Sequence, residues 1–273
     1  MLEQQPIPQQ WREALETYLH TLGASKTPES TIYLRKYHLR RFAIETGFAP
    51  FSLDLDDLIE YLDGHSEWAT GTARSVRTSL RSFYAWAFVR GRTSENIAEH
   101  LPKIKSPIGK PRPAPLQAIA KGERAHDYRV RLMVQLAAYA GLRCCEIAVV
   151  HSRDLIDDLI GTSLIVHGKG GKERTVPLRN EVAHLLRQCP AGYVFPGLKD
   201  GHLSASYVSK LLSRALPDGV TAHMLRHSFA SRAYVASGFD IRAIQELLGH
   251  ASVATTQIYT AVDDGQLRRA VAF

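Results

Sequence analysis

The sequence predicts a mainly α-helical protein of two domains, the second of which also contains a small antiparallel β-sheet. Apolar residues recur at helical spacing through most of the chain. One proline-rich stretch interrupts this pattern, and one glycine-rich turn lies between two short β-prone runs. A chain of 273 residues is long enough to form two compact domains, each with its own core.

The composition is typical of a globular protein. Hydrophobic residues make up 45% of the chain and charged residues 22%, which excludes a largely disordered protein. No apolar run approaches the roughly 18 residues that a membrane span needs, and the start of the chain has no signal pattern. We therefore expect a cytoplasmic protein with no membrane partner. The net charge of +7 is compatible with a polyanionic partner.

Four segments with helical periodicity predict a small helical bundle in the first part of the chain. In each segment the apolar residues return about every 3.6 positions, as they do on the buried face of a helix. The segments run from Trp11 to Leu22, Ser30 to Thr46, Leu55 to Leu62 and Thr72 to Val89.

Two of these helices are strongly basic. On the last one, Arg74, Arg77 and Arg81 are three and four residues apart, so their guanidinium groups share one face. The aromatic run after them is expected to pack inward and comprises Phe83, Tyr84, Trp86 and Phe88. The second helix carries Arg35, Lys36, His38, Arg40 and Arg41. Both a phosphate-binding surface and an ordinary solvated surface fit these patterns.

A basic, proline-rich stretch predicts the domain boundary. Between His100 and Leu116 the sequence LPKIKSPIGKPRPAPL contains five prolines and four cations, and proline disfavours regular structure. We predict a first domain at residues 8–101, a linker at 102–115 and a second domain at 116–273. Lys103 and Lys105 are candidate contacts to a phosphate backbone, although a linker kept soluble by its charge is an equally good interpretation.

The second domain is predicted to be mostly helical around one hairpin. A helix from Arg131 to Ala140 is expected to stop at Gly141, and another begins near Arg143. Two β-prone runs, 163–167 and 174–178, flank the turn Gly168 to Lys172, where glycines permit turn dihedrals. Further helices are predicted from Glu181 to Arg187, Ser206 to Leu216, His223 to Ala236, Ile241 to Leu248 and Val253 to Tyr259.

A set of polar residues in the second domain indicates a site for a phosphodiester. Arginine forks match the non-bridging oxygens of a phosphate and keep their charge at any working pH. No acidic cluster accompanies them, so we expect no metal ion. Each residue alone also has a structural explanation, and the order and spacing of the set carry the hypothesis. The set is Arg143, Lys169, His223, Arg226, His250 and Tyr259.

Four sequence blocks resemble the tyrosine recombinases, also called the lambda-integrase family, which includes the Xer recombinases and many phage integrases. The nine positions from His250 to Tyr259 match the interval of the family pattern. The resemblance is to a minimal two-domain form without an arm-binding domain. The blocks are AYAGLRCCEIAVV at 138–150, VHGKGGKERTVPL at 166–178, HMLRHSFASRAYVASG at 223–238 and IQELLGHASVATTQIYT at 244–260.

The resemblance implies a catalytic role for each member of the set. Arg143 and Arg226 would clamp the scissile phosphate, and Tyr259 would attack it. Lys169 would protonate the departing 5′ oxygen, and His223 would act in general acid and base steps.

Two further residues would support the phosphate and its clamp. His250 would hydrogen-bond the phosphate, and Glu146, one helical turn after Arg143, is predicted to fix the orientation of that arginine. The implied reaction passes through a 3′-phosphotyrosyl bond, which conserves the energy of the phosphodiester, so that no metal, ATP or other cofactor is expected.

The resemblance also implies the partners. These are double-stranded DNA with specific recombination sites, a homotetramer on paired sites, and an accessory DNA-bending or directionality protein. The tail from Leu267 to Phe273 would dock either in a neighbouring subunit or on its own domain. The first domain would be a helical core-type DNA-binding domain that contacts phosphates in a salt-sensitive way. Its candidate contacts, with those of the linker, are Arg35, Arg40, Arg41, Arg74, Arg77, Arg81, Lys103 and Lys105.

Several kinds of protein fit these sequence features. A Xer-type resolvase and a minimal phage integrase fit the blocks equally well. A type IB topoisomerase uses similar residues and would relax plasmids without a specific site. A DNA-binding regulator that has lost catalysis would keep the basic helices.

Overall fold

The structure is a computed structural model that describes residues 5–105, 112–157, 159–168 and 171–249. The chain divides into two compact units, Met1–Pro107 and Ile108–Phe273. The predicted fold class, mainly α-helical with a small antiparallel sheet, is confirmed. Among the described residues, no helix combines the length and the apolar character that crossing a bilayer requires.

The first unit is a bundle of four described helices with an aromatic core. Phe83 lies at its centre, stacked on Trp11 at 5.1 Å between ring centroids and edge-on to Tyr18 at 5.4 Å. Such pairs each stabilise a fold by about 0.5–1.5 kcal/mol beyond the area they bury. The helices are α1 (Gln9–Ala24), α2 (Glu29–Thr46), α3 (Leu55–Asp63) and α4 (Thr70–Val89).

One expectation about α4 was wrong. Phe83, Tyr84 and Trp86 are buried as predicted, but Phe88 is 46% exposed. Side chains five residues apart on a helix differ in direction by about 140° around its axis. Phe88 therefore points away from the core that Phe83 enters.

The second unit has seven described helices. The short helix α5, which follows the linker, was not predicted. Helix α6 begins three residues before its predicted start. The reason is that the Asp127 side chain caps α6 by accepting a hydrogen bond from the Arg129 N–H at 2.9 Å. The predicted helix from Val253 to Tyr259 lies outside the described residues. The helices are α5 (Leu116–Glu123), α6 (Tyr128–Tyr139), α7 (Cys144–Ala148), α8 (Asn180–Arg187), α9 (Ala205–Ala215), α10 (Ala222–Ala236) and α11 (Ile241–Leu248).

Three strands form an antiparallel sheet in the order β1-β2-β3. The predicted hairpin is formed by β2 and β3, whose register pairs Val166 with Arg174, and the Gly168 N–H donates to the Lys172 carbonyl at 2.7 Å to close its base. The strand β1 is only three residues long, too short to show a period, and was not predicted. The strands are β1 (Leu155–Asp157), β2 (Thr162–His167), β3 (Glu173–Pro177) and a separate β4 (Pro196–Lys199).

Helix α6 is the central element of the second unit. Its residues Met133, Leu136 and Ala137 are completely buried, and α5, α9 and α10 pack around it. Helix α6 is therefore packed on several sides, and the residues that follow its end at Tyr139 enter the candidate site.

Candidate functional site

The junction between α6 and α7 places Arg143. Gly141 follows the end of α6 with φ +69°, and a Cβ at this position would lie 2.4 Å from Cδ1 of Phe229 on α10. Only glycine accommodates both the left-handed backbone and this close approach. The chain turns here, and Arg143 becomes the residue that precedes the first turn of α7.

Arg226 on α10 reaches back to this junction. Its side chain is 1% exposed, its Nη1 donates to the Gly141 carbonyl, and its Nη2 donates to the Leu248 carbonyl at 2.6 Å. The Leu248 carbonyl, at the end of α11, also accepts a hydrogen bond from Nη1 of Arg143 at 3.4 Å. Two arginines that are distant in the sequence thus converge on one point.

Glu146 is a buried carboxylate, 2% exposed, between these arginines. It accepts from the backbone N–H of Arg143 at 2.8 Å and from its Nη1 at 2.7 Å, and Nη1 of Arg226 lies 3.6 Å away. Burial raises the pKa of this carboxyl, but hydrogen bonds from Arg174 and from the Arg143 backbone, together with the charge of Arg226, outweigh burial and lower it. Glu146 is therefore charged, and it accepts hydrogen bonds from both the backbone and the side chain of Arg143.

The same carboxylate binds an arginine that sequence reasoning missed. Nη1 and Nη2 of Arg174 on β3 donate to Oε1 and Oε2 of Glu146 at 2.8 and 2.9 Å, and its Nε donates to the Leu247 carbonyl at 2.8 Å. The sequence did contain a signal that Arg174 points inward. Arg174 and the buried Val176 are two residues apart on one strand, so their side chains face the same side.

Two histidines lie on α10 beside Arg226. The rings of His223 and His227 are edge to face with centroids 4.3 Å apart. Burial and the charges of Arg226 and Arg143 lower the pKa of His223. Burial, His223 and Arg226 lower the pKa of His227 to about 4. Both imidazoles are neutral at pH 7, and a neutral imidazole can accept a proton. His227 was not among the predicted site residues.

The other half of the predicted site lies outside the described residues. These residues are Lys169, His250 and Tyr259. The structure does describe their neighbours Gly168 and Gly249, at the base of the hairpin and at the end of α11. Of the predicted site, it brings together Arg143, Glu146, Arg226 and His223.

The three arginines of α2 that are candidate DNA contacts have partners within the first unit. Arg35 donates to the Tyr18 hydroxyl at 3.3 Å, and Arg40 to the Gln5 carbonyl at 3.0 Å. Arg41 forms an ion pair with Glu45 at 2.7 Å and lies over the Trp68 ring, 4.9 Å from its centroid.

The basic residues of α4 and of the linker divide into two kinds. Arg77 is half-buried and donates to the Leu101 carbonyl, which fixes the segment after α4. Arg74 and Arg81 are exposed, and their side chains form no hydrogen bond or ion pair with the part of the chain that the structure describes. Lys103 and Lys105 are exposed as well.

Comparison with known proteins gives a consistent result. Residues 114–266 match the model of the phage integrase family. A tyrosine recombinase XerC from Xanthomonas axonopodis pv. citri is 37% identical over 70% of this chain and 68% of the relative. A tyrosine recombinase XerC from Methylobacterium nodulans is 33% identical over 94% of this chain and 90% of the relative.

Solved structures share the fold. A XerH site-specific recombinase bound to a palindromic difH substrate aligns with a TM-score of 0.71 at 22% identity, over 90% of this chain and 80% of the other. A lambda integrase fragment, a dimer bound to a COC′ core site, aligns with a TM-score of 0.69 at 22% identity, over 89% and 96%.

Proposed function

The chain belongs to the phage integrase family of tyrosine recombinases, and from this premise we propose that Arg143, Arg226 and Tyr259 carry out its strand cleavage. The protein is a site-specific recombinase that acts on DNA. The observation that supports the proposed roles is the convergence of Arg143 and Arg226 on the Leu248 carbonyl. This carbonyl lies two residues before His250, and the remaining predicted residues follow in the same block.

Cleavage is a transesterification at phosphorus. The phenolic oxygen of Tyr259 attacks the scissile phosphate, an O–P bond to tyrosine forms, and the bond to the 5′ oxygen breaks. His223 accepts the phenolic proton, and Lys169 donates a proton to the departing oxygen. The products are a 3′-phosphotyrosyl bond and a free 5′ hydroxyl, so a 5′ hydroxyl of another strand can reverse the reaction and join a new strand.

The proposed site matches the electrostatic needs of this reaction. Charge develops on the non-bridging oxygens in the transition state, and fixed guanidinium groups stabilise it without reorganisation. A phenol is almost fully protonated at neutral pH, so Tyr259 needs a base, and the lowered pKa of His223 keeps its imidazole neutral and able to accept a proton.

We assign further roles at the level of the whole protein. Residues 8–101 would form a core-type DNA-binding domain, 102–115 a linker, and 116–273 the catalytic domain. Four chains would assemble on two paired DNA sites in the cytoplasm, with an accessory DNA-bending or directionality protein. The strongest candidates among the phosphate contacts are the exposed residues Arg74, Arg81, Lys103 and Lys105.

The test traps the covalent intermediate. The full chain is incubated with a nicked DNA library made from the DNA that flanks its gene, and protein–DNA adducts that resist SDS are separated on a gel. A nick beside the cleavage site releases a short strand with its 5′ hydroxyl, so the adduct cannot revert. Wild type is expected to form the adduct and Tyr259→Phe to bind the DNA without forming it. Tyr207→Phe, an exposed tyrosine on α9, is the matched control and should behave as wild type.

Other outcomes identify other functions. DNA binding without any adduct would favour a catalytically silent regulator. Relaxation of plasmids that lack a specific site would favour a topoisomerase. An adduct formed by Tyr259→Phe would assign the nucleophile to a different residue.

A further inference from the structure

Arg174 joins three elements of the second unit. It belongs to β3, its Nη1 and Nη2 hold both oxygens of Glu146 on α7, and its Nε holds the Leu247 carbonyl of α11. Each nitrogen of the guanidinium therefore has a partner within the chain, and the side chain is only 10% exposed. A side chain bound in this way is held by the protein and is poorly placed to bind DNA directly.

Gly249 makes this junction possible. A Cβ on Gly249 would lie 3.0 Å from Cδ and 3.2 Å from Nη1 of Arg174, and the backbone has φ +61°. The glycine thus ends α11 and also leaves space for Arg174 to reach the Leu247 carbonyl. The next residue is His250, so Arg174 is bonded to an element that leads directly into the predicted site.

The contact between Arg174 and Glu146 determines where Arg143 is held. Oε1 of Glu146 accepts from Arg174 at 2.8 Å and from Nη1 of Arg143 at 2.7 Å. The terminal torsion of a glutamate is soft and has no sharply preferred angle. Two parallel bonds from a guanidinium fix that torsion. Without them the carboxylate keeps its bond from the Arg143 N–H at Oε2, but Oε1, which accepts from the Arg143 side chain, is held less firmly. This matters because the Arg143 side chain is 38% exposed and has few other restraints.

We propose that Arg174 is a positioning residue for strand cleavage, which acts through Glu146 to hold Arg143 in the geometry that binds the scissile phosphate. The inference rests on the proposed role of Arg143. Arginine is required at this position, because a lysine ammonium acts as a point donor and cannot hold two carboxylate oxygens and the Leu247 carbonyl in one plane.

The test separates binding from chemistry. Full-length wild type, Arg174→Lys and Arg174→Met are compared on the site recovered from the adduct screen, by DNA affinity and by the single-turnover rate of adduct formation. DNA affinity should be unchanged, and the rate should fall about 10- to 100-fold, as is typical when the support of a functional ligand is lost. Arg187→Met is the matched control, because it removes an arginine of α8 that pairs with Asp157 on β1, a strand of the same sheet as β3. This variant should cleave at the wild-type rate.

A pH profile distinguishes positioning from a general loss of structure. Three arginines on different elements face Glu146 among the described residues: Arg143, Arg174 and Arg226. Burial raises the pKa of Glu146, and the hydrogen bonds from Arg174 oppose that effect. Without Arg174 the pKa of Glu146 should rise, so the variants should lose more activity at mildly acidic than at neutral pH. The double variant Arg174→Met/Glu146→Gln should cleave no more slowly than the slower of its two single variants. The reason is that Arg174 and Glu146 act on Arg143 through the same series of contacts.

Each result decides between alternatives. An Arg174→Lys protein that cleaves at the wild-type rate with the wild-type pH profile would overturn the proposal, and so would a loss of DNA affinity equal to the loss of rate. If Arg174→Met does not fold, the folded Arg174→Lys variant decides. Failure of the proposed function looks different, since wild type itself would then form no adduct that depends on Tyr259, and the positioning role would fall with it.

Discussion

The Glu146 carboxylate binds arginines from three different parts of the second unit. Among the described residues, three guanidinium groups lie around this carboxylate. A buried charge without a partner costs several kcal/mol, so the carboxylate is needed to keep the arginines in place. The proposed phosphate contacts of Arg143 and Arg226 therefore depend on Glu146.

Acid should destabilise the protein through His227. Its pKa is lowered from 6.5 to about 4 in the folded protein, so between these values the unfolded chain binds more protons and the free energy of unfolding falls as the pH falls. The residue is 9% exposed, and the shift corresponds to at most roughly 3–4 kcal/mol. Urea unfolding of wild type and His227→Gln at several pH values measures it. The variant should show a flatter pH dependence, and parallel curves would contradict the prediction.

At the scale of elements, the link between α6 and α7 depends on one glycine. Gly141→Ala should lower the free energy of unfolding by about 2–4 kcal/mol, because a left-handed alanine is strained and its Cβ overlaps the Phe229 ring. It should also slow cleavage, since the Gly141 carbonyl accepts from Arg226. The control is Gly219→Ala, at φ +78° with no atom within 4 Å of the added Cβ. It should cost about 1–2 kcal/mol, from backbone strain alone. Equal losses for the two variants would rule out the overlap with Phe229.

At the scale of the whole molecule, the exposed cations of α4 should determine how salt affects DNA binding. Each phosphate contact contributes about 0.9 to the slope of log affinity against log salt concentration. Arg74→Ala/Arg81→Ala should therefore weaken binding and reduce the magnitude of the slope by about 1.8. Arg92→Ala, which removes a surface pair with Glu13 at 3.6 Å, is the control and should leave the slope unchanged. An unchanged slope in the double variant would remove these arginines from the DNA surface.

The sequence by itself predicted most of the helices, the hairpin and the family. Helical periodicity is a local property, so α2, α4, α10 and α11 were predicted to within two residues of their observed ends. The hairpin followed from its glycines. The order of the four blocks identified the family, because that signal lies in residue identity and spacing. The contact between Arg143 and Glu146 was also within reach, since these residues are one helical turn apart.

Only the tertiary structure decided which partners the charged side chains have. Arg77 was expected on an open face, yet it binds the Leu101 carbonyl, and Arg41 is held by Glu45 and Trp68. Arg174 lies 28 residues from Glu146 in the chain and binds both of its oxygens. Periodicity tells which side of an element faces inward. The partner that a charged side chain meets there depends on how elements distant in the sequence pack together, and this packing is determined by residues throughout the core of the unit.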